Sequence, residues 1–131
     1  MFLADKKFIL ALALLLIAGQ IYWNSSFIEQ GSVWWLDMVM HFLGGVLTAS
    51  LFLNFSSNYF DLLSRKSRLA DFLFIVCFVA LIGVLWEFYE YATNYLFQTL
   101  ELTLDDTLSD LFLDLLGAAL VGITHLFLVK K

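Results

Sequence analysis

The chain has 131 residues, 62% of them hydrophobic and only 15% charged, with no proline and a mean hydropathy of +0.88. That balance excludes an ordinary water-soluble domain and points to a membrane protein, whose first partner is the lipid bilayer. The net charge of −5 and the lack of a basic stripe outside one short connection exclude a nucleic-acid-binding surface.

A hydrocarbon core of about 30 Å takes roughly 20 helical residues to cross, and hydropathy predicts four such spans, at 7–23, 33–55, 71–96 and 107–129. Only short connections are left between them. The expected fold is therefore all-α: one domain over 1–131, a single bundle of four transmembrane helices.

Span one opens with Lys6 and Lys7 and runs on as FILALALLLIAG. A charged start and a short apolar run also describe a signal peptide, but no small-x-small cleavage site follows, and the topology works with the segment retained. Its polar side chains are Gln20 and, just beyond it, Asn24. Span one thus reads as a supporting wall. Span two carries Asp37 and His41, which share a helical face with Gly44 and Thr48 at about 100° per residue. The connection after it holds Arg65, Lys66 and Arg68, a cluster that sets topology and touches anionic headgroups.

Span three carries Cys77 in an apolar run, with no second cysteine for an internal disulfide, so it is expected to pack as a small buried hydrophobe. Further along, Gly83, Glu87, Glu90 and Asn94 share one face, with Trp86, Tyr89 and Tyr91 around the acids. Before span four, Asp105 and Asp106 are expected to be a solvated loop residue and a helix N-cap. Within it, Asp106, Asp110, Asp114, Gly117 and Val121 form one stripe. His125 is on that stripe but about 16 Å further along the helix, as a boundary residue or helix C-terminal partner.

All seven basic residues fall in alternate segments: Lys6 and Lys7, then Arg65, Lys66 and Arg68, then Lys130 and Lys131. The positive-inside rule makes those segments cytoplasmic and puts both termini inside. The other two connections hold only acids, and Tyr22, Trp23, Trp34, Trp35, Tyr91 and Tyr95 cluster at the same boundary, where amphipathic rings favour the headgroup layer. The expected location is a bacterial inner membrane, crossed several times.

Ionisable groups in mid-span cost about 2.5–3.5 kcal/mol each on insertion scales, so they are usually buried against one another or in a wet cavity. At about 1.5 Å per residue, Asp37 and His41 lie roughly 6 and 12 Å below the outer boundary, Glu90 and Glu87 roughly 9 and 14 Å, and Asp110 and Asp114 roughly 5 and 11 Å. The six share one layer. Each polar face also bears glycine, which lets helices approach closely and makes these faces the expected contact surfaces. Five carboxylates and one imidazole cannot all be charged and unpaired, and no lysine or arginine lies on that side. Either some carboxyls hold protons or a cation neutralises them. A carboxylate-rich set suits Mg²⁺, Mn²⁺ or Ca²⁺, and one histidine keeps Zn²⁺ and Fe²⁺ in play.

The motifs DMVMHF (37–42), WEFYEYATN (86–94) and DTLSDLFLDLLGA (106–118) resemble, in order and approximate spacing, small bacterial inner-membrane proteins of the uncharacterised YjdF type. That resemblance covers spans two to four and implies a multi-pass membrane protein with its acids retained, without supplying a reaction. The last motif is also similar to the VanZ-like family, where Asp110 and Gly117 correspond directly and Thr107 keeps a hydroxyl. Asp114 stands where that family usually has Asn, and the preceding Pro-Gly-Arg segment is lacking here.

The expected function is an intramembrane site on the extracytoplasmic side, built from Asp37, His41, Glu87, Glu90, Asp110 and Asp114, that binds a divalent metal ion or shares protons. Asp37 is expected to orient His41, and Asn94, Asp106 and Tyr91 are accessory candidates. Three rivals stay open: a metal-dependent enzyme acting on a lipid-linked substrate, a cation- or proton-coupled carrier formed by a homo-oligomer, and a structural membrane subunit.

Overall fold

A computed structural model describes residues 2–23, 34–60, 63, 67–97 and 103–128. A short 3-10 turn, Phe2–Ala4, leads into four helices, α1 (Lys6–Trp23), α2 (Trp34–Phe55), α3 (Arg68–Phe97) and α4 (Leu104–Leu128), with a π-helical turn at Ser56–Phe60 closing α2. All four are long and apolar enough to cross a membrane. Among the described residues there is no strand.

Helix starts follow side-chain caps. The Asp5 carboxylate accepts hydrogen bonds from the amides of Lys7 and Phe8 at 2.8 and 3.3 Å, which starts α1. Ser67 accepts from the Ala70 amide at 3.3 Å and Thr103 from the Asp106 amide at 3.2 Å. These two hydroxyls start α3 and α4 three residues before the apolar stretches begin. The cap of α4 is therefore Thr103. Asp105 and Asp106 occupy the first turn instead, where the helix dipole favours negative charge, and both are exposed.

α2 and α4 form the centre of the bundle, α3 packs on α4, and α1 lies against α2. Of α1's apolar window only 11% is buried, against 39% for α2, so α1 is the peripheral helix. The core is Leu12 of α1, Val46, Ala49, Phe52 and Leu53 of α2, Ile75 and Val79 of α3, and Ala118 and Val121 of α4, with the Phe52 and Phe78 rings stacked at 4.8 Å. Most remaining large apolar side chains, such as Leu14, Leu81, Leu85, Phe88, Leu116 and Leu120, face outward. That is a surface for lipid rather than water. Cys77 is on it: the thiol is exposed, not packed in the core, because its helical phase is opposite to that of Ile75 and Val79.

Glycine builds the α2 and α4 crossing. A Cβ on Gly45 would collide with the backbone of Asp114, and one on Gly117 with the Phe42 carbonyl and the Val46 amide. The helices meet backbone to backbone there, as small residues permit. Gly44, one position away and rotated by about 100°, faces the Asp114 carboxylate instead of the helix axis.

Candidate functional site

Three helices bring their acids to one level near the end of the bundle marked by Trp34. From about 1.5 Å per residue, His41 lies roughly 10 Å below Trp34, Glu90 roughly 10 Å below Phe97, and Asp110 and Asp114 roughly 9 and 15 Å below Leu104. His41 is buried at the middle of them. Its Nε2 stands 4.0 Å from Asp37 Oδ1 and 3.8 Å from Asp110 Oδ2, and its Nδ1 stands 3.7 Å from Asp114 Oδ2. These separations exceed direct hydrogen bonds, so the imidazole is surrounded by carboxylates rather than locked to one. Asp114, not Asp37, faces the nitrogen opposite to the one the other aspartates approach.

Two sets of ligand atoms share that imidazole. Asp37, His41 and Asp110 form one, and His41, Glu87 and Glu90 form the other, with all ligand atoms of a set within 4.8 Å of one another. Oxygen ligands on opposite sides of an ion with bonds of about 2.4 Å sit about 4.8 Å apart, so either set is of the size a hard cation requires.

Polar satisfaction is incomplete. Glu87 is buried, and its Oε1 has no hydrogen-bond partner. An unpartnered buried carboxylate oxygen costs more than an unpartnered amide, and such an atom calls for a cation, a proton or a water. Thr107, in the first turn of α4, is a neighbour of Glu87. It is a site neighbour that hydropathy does not flag, because a threonine in the first turn of a helix reads as ordinary.

Small residues shape the space around Asp114. Its Oδ2 would lie 2.8 Å from a Cβ on Gly83, and its Oδ1 3.8 Å from one on Gly44. The missing side chains of α2 and α3 thus make the hollow that admits the α4 carboxylate beside His41.

A cavity of about 360 Å³ adjoins this layer. Asp37, His41, Glu90 and Asp114 line its polar end, and Leu16, Ile17, Leu47, Val79 and Ile82 line the rest, with Gln20 and Trp86 at its sides. Gln20 therefore reaches the site region, and α1 is a cavity wall rather than only an outer support. Glu87 and Asp110 are not part of the lining.

The accessory candidates separate. Asp106 and Tyr91 are exposed, and Asn94, half-buried, is one turn beyond Glu90 toward the bundle end; none of the three lines the cavity. His125 is close to the opposite end, with Asp71 of α3 as its charged neighbour. Asp71 is itself buried with Oδ1 unpartnered, a polar core residue that its place at the edge of an apolar stretch concealed.

A family profile described as "Predicted membrane protein (DUF2238)" matches residues 6–131. The chain belongs to this family. The match takes in α1 as well as α2 to α4, whereas the motifs quoted from the sequence begin at Asp37. No curated protein and no solved structure shows a significant match to this DUF2238 chain.

Proposed function

We propose that this DUF2238 protein is a single four-helix domain over 1–131 in the bacterial inner membrane, with both termini cytoplasmic. Its layer of Asp37, His41, Glu87, Glu90, Asp110 and Asp114 binds a divalent cation at the extracytoplasmic side. The orientation rests on Lys6, Lys7 and Arg68 at one end of the bundle and the acids at the other. The family match agrees with the YjdF-type resemblance, and nothing from the VanZ-like family is carried into the proposal.

The observation that carries the reading is the buried, unpartnered Glu87 Oε1 within the His41, Glu87 and Glu90 set. Five carboxylates around one imidazole repel one another, and among the described residues no lysine or arginine enters the layer to balance them. A divalent ion supplies charge and fills the orphaned oxygen at once. His41 would ligate through one nitrogen while Asp114 holds the ring from the other, as carboxylates commonly do for metal-bound histidines.

Metal analysis of protein purified in neutral detergent tests this directly, against the Glu87→Ala/Asp114→Ala double variant. The wild type is expected to keep a stoichiometric divalent metal through gel filtration and the double variant to lose it while staying helical and monodisperse. If neither protein keeps metal and added Mn²⁺ gives no saturable binding, a shared-proton network replaces the cation site.

A further inference from the structure

The cavity beside the carboxylate layer is the wrong size and polarity for an ion alone. Its volume of about 360 Å³ is within the range of pockets that take whole organic ligands, about 300–1,000 Å³, and more than ten times the roughly 30 Å³ a water occupies. On α2 the lining runs from Asp37 to Thr48 and on α3 from Val79 to Glu90, about 16 Å in each case. That is the depth of one leaflet of a core about 30 Å thick. Polarity changes along this length: carboxylates and His41 stand at the Trp34 end, and Leu47, Val79 and Ile17 stand deeper.

The cavity also has a side opening. α1 packs on α2, and no comparable contact joins it to α3 among the described residues. Ile17 of α1 and Ile82 and Trp86 of α3 line the cavity and are themselves exposed, so they mark the two edges of a mouth that faces the surrounding hydrocarbon. A molecule dissolved in the bilayer reaches the polar end through this mouth without crossing water.

We propose that the cavity binds a membrane amphiphile with an ammonium-bearing headgroup, its hydrocarbon chain lying between α1 and α3 and its headgroup among Asp37, Glu90 and Asp114. Charge selects the headgroup. Three carboxylates, one imidazole and no lysine or arginine line the polar end, which repels a phosphate and attracts an amine. The Trp86 indole beside them is a further favourable neighbour for a cation. A divalent ion in either of the two sets around His41 leaves carboxylate charge over, since five acids exceed its two positive charges. The amphiphile shares residues with the proposed cation site but does not need the metal.

The test is native mass spectrometry of the full chain from neutral maltoside micelles after exposure to hexadecylamine, hexadecanol or hexadecyl phosphate, with and without chelator. One charge-assisted hydrogen bond corresponds to about tenfold, so the amine is expected to be retained about tenfold more than the alcohol, and the phosphate least. Chelator leaves that order unchanged. Ile17→Trp with Ile82→Trp, both exposed positions that tolerate bulk, narrows the mouth and lowers retention of all three probes, while Glu90→Gln lowers only the amine. Equal retention of the three probes, preference for the phosphate, or loss of the amine preference on chelation overturns the proposal. So does undiminished retention in the double tryptophan variant. Absence of metal from the wild type with the amine preference intact overturns the cation site alone.

Discussion

Asp114 shows how one residue depends on atoms that are missing around it. Its carboxylate occupies a hollow left by Gly83 and Gly44 and faces His41 Nδ1 at 3.7 Å. Gly83→Ala places a methyl group 2.8 Å from Asp114 Oδ2, so the carboxylate must shift. The expected outcome is a folded protein with metal affinity reduced about tenfold, in the range of a disturbed supporting carboxylate, read by Mn²⁺ titration. Glu87→Gln keeps shape and removes charge; combined with Asp110→Asn it is expected to abolish stoichiometric metal without loss of helicity. Unchanged metal in that folded pair would exclude the layer as the binding site. That these acids reach one level was legible from phase and depth. The partner of each was not, because a helical face gives direction on its own helix and says nothing of which neighbour's glycine provides the space.

At the scale of elements, the α2 and α4 crossing is set by backbone contact at Gly45 and Gly117. Gly117→Val forces a side chain against the Phe42 carbonyl and the Val46 amide, which cannot rotate away. A loss of about 3 kcal/mol, the upper end of overpacking effects, is expected in denaturant unfolding from mixed micelles. Gly122→Ala is the contrast: its nearest neighbour is the Phe72 ring edge at 2.8 Å, a side chain that can turn, so a loss of about 1 kcal/mol is expected. Equal losses at both positions would mean that the crossing is not the rigid element described. A polar tie at the other end joins elements too, where the Asn54 side-chain amide donates to the Ala4 carbonyl at 2.7 Å and fastens the N-terminal turn to α2. The sequence made every helix visible through length and hydropathy, and the caps at Ser67 and Thr103 then moved two starts outward. Helical phase put Gly44 on the face of Asp37 and His41, where it meets the Asp114 carboxylate, but gave no sign that Gly45, about 100° away, makes the crossing.

For the whole molecule, the bundle is built for lipid outside and charge inside. Its outer faces are leucine, isoleucine and phenylalanine, while His41, Glu87, Asp110 and Asp114 are buried. Orientation is a property of this scale, and changing Arg65, Lys66 and Arg68 to glutamate removes the basic connection between α2 and α3. Reporter fusions after α2 and after α4 are expected to show mixed or inverted topology in that variant and a single topology in the wild type. Identical reporter patterns would remove the basic cluster as the determinant. Hydropathy and the alternation of charge, both readable along the chain, determined that this is a four-helix membrane protein with acids in one layer, because bilayer thickness and helical period act on sequence alone. Tertiary structure decided the rest: the exposure of Cys77, the burial of Asp71, the hollow for Asp114, and the cavity left where α1 does not meet α3. These depend on how the helices are placed against one another, and helix periodicity does not contain that information.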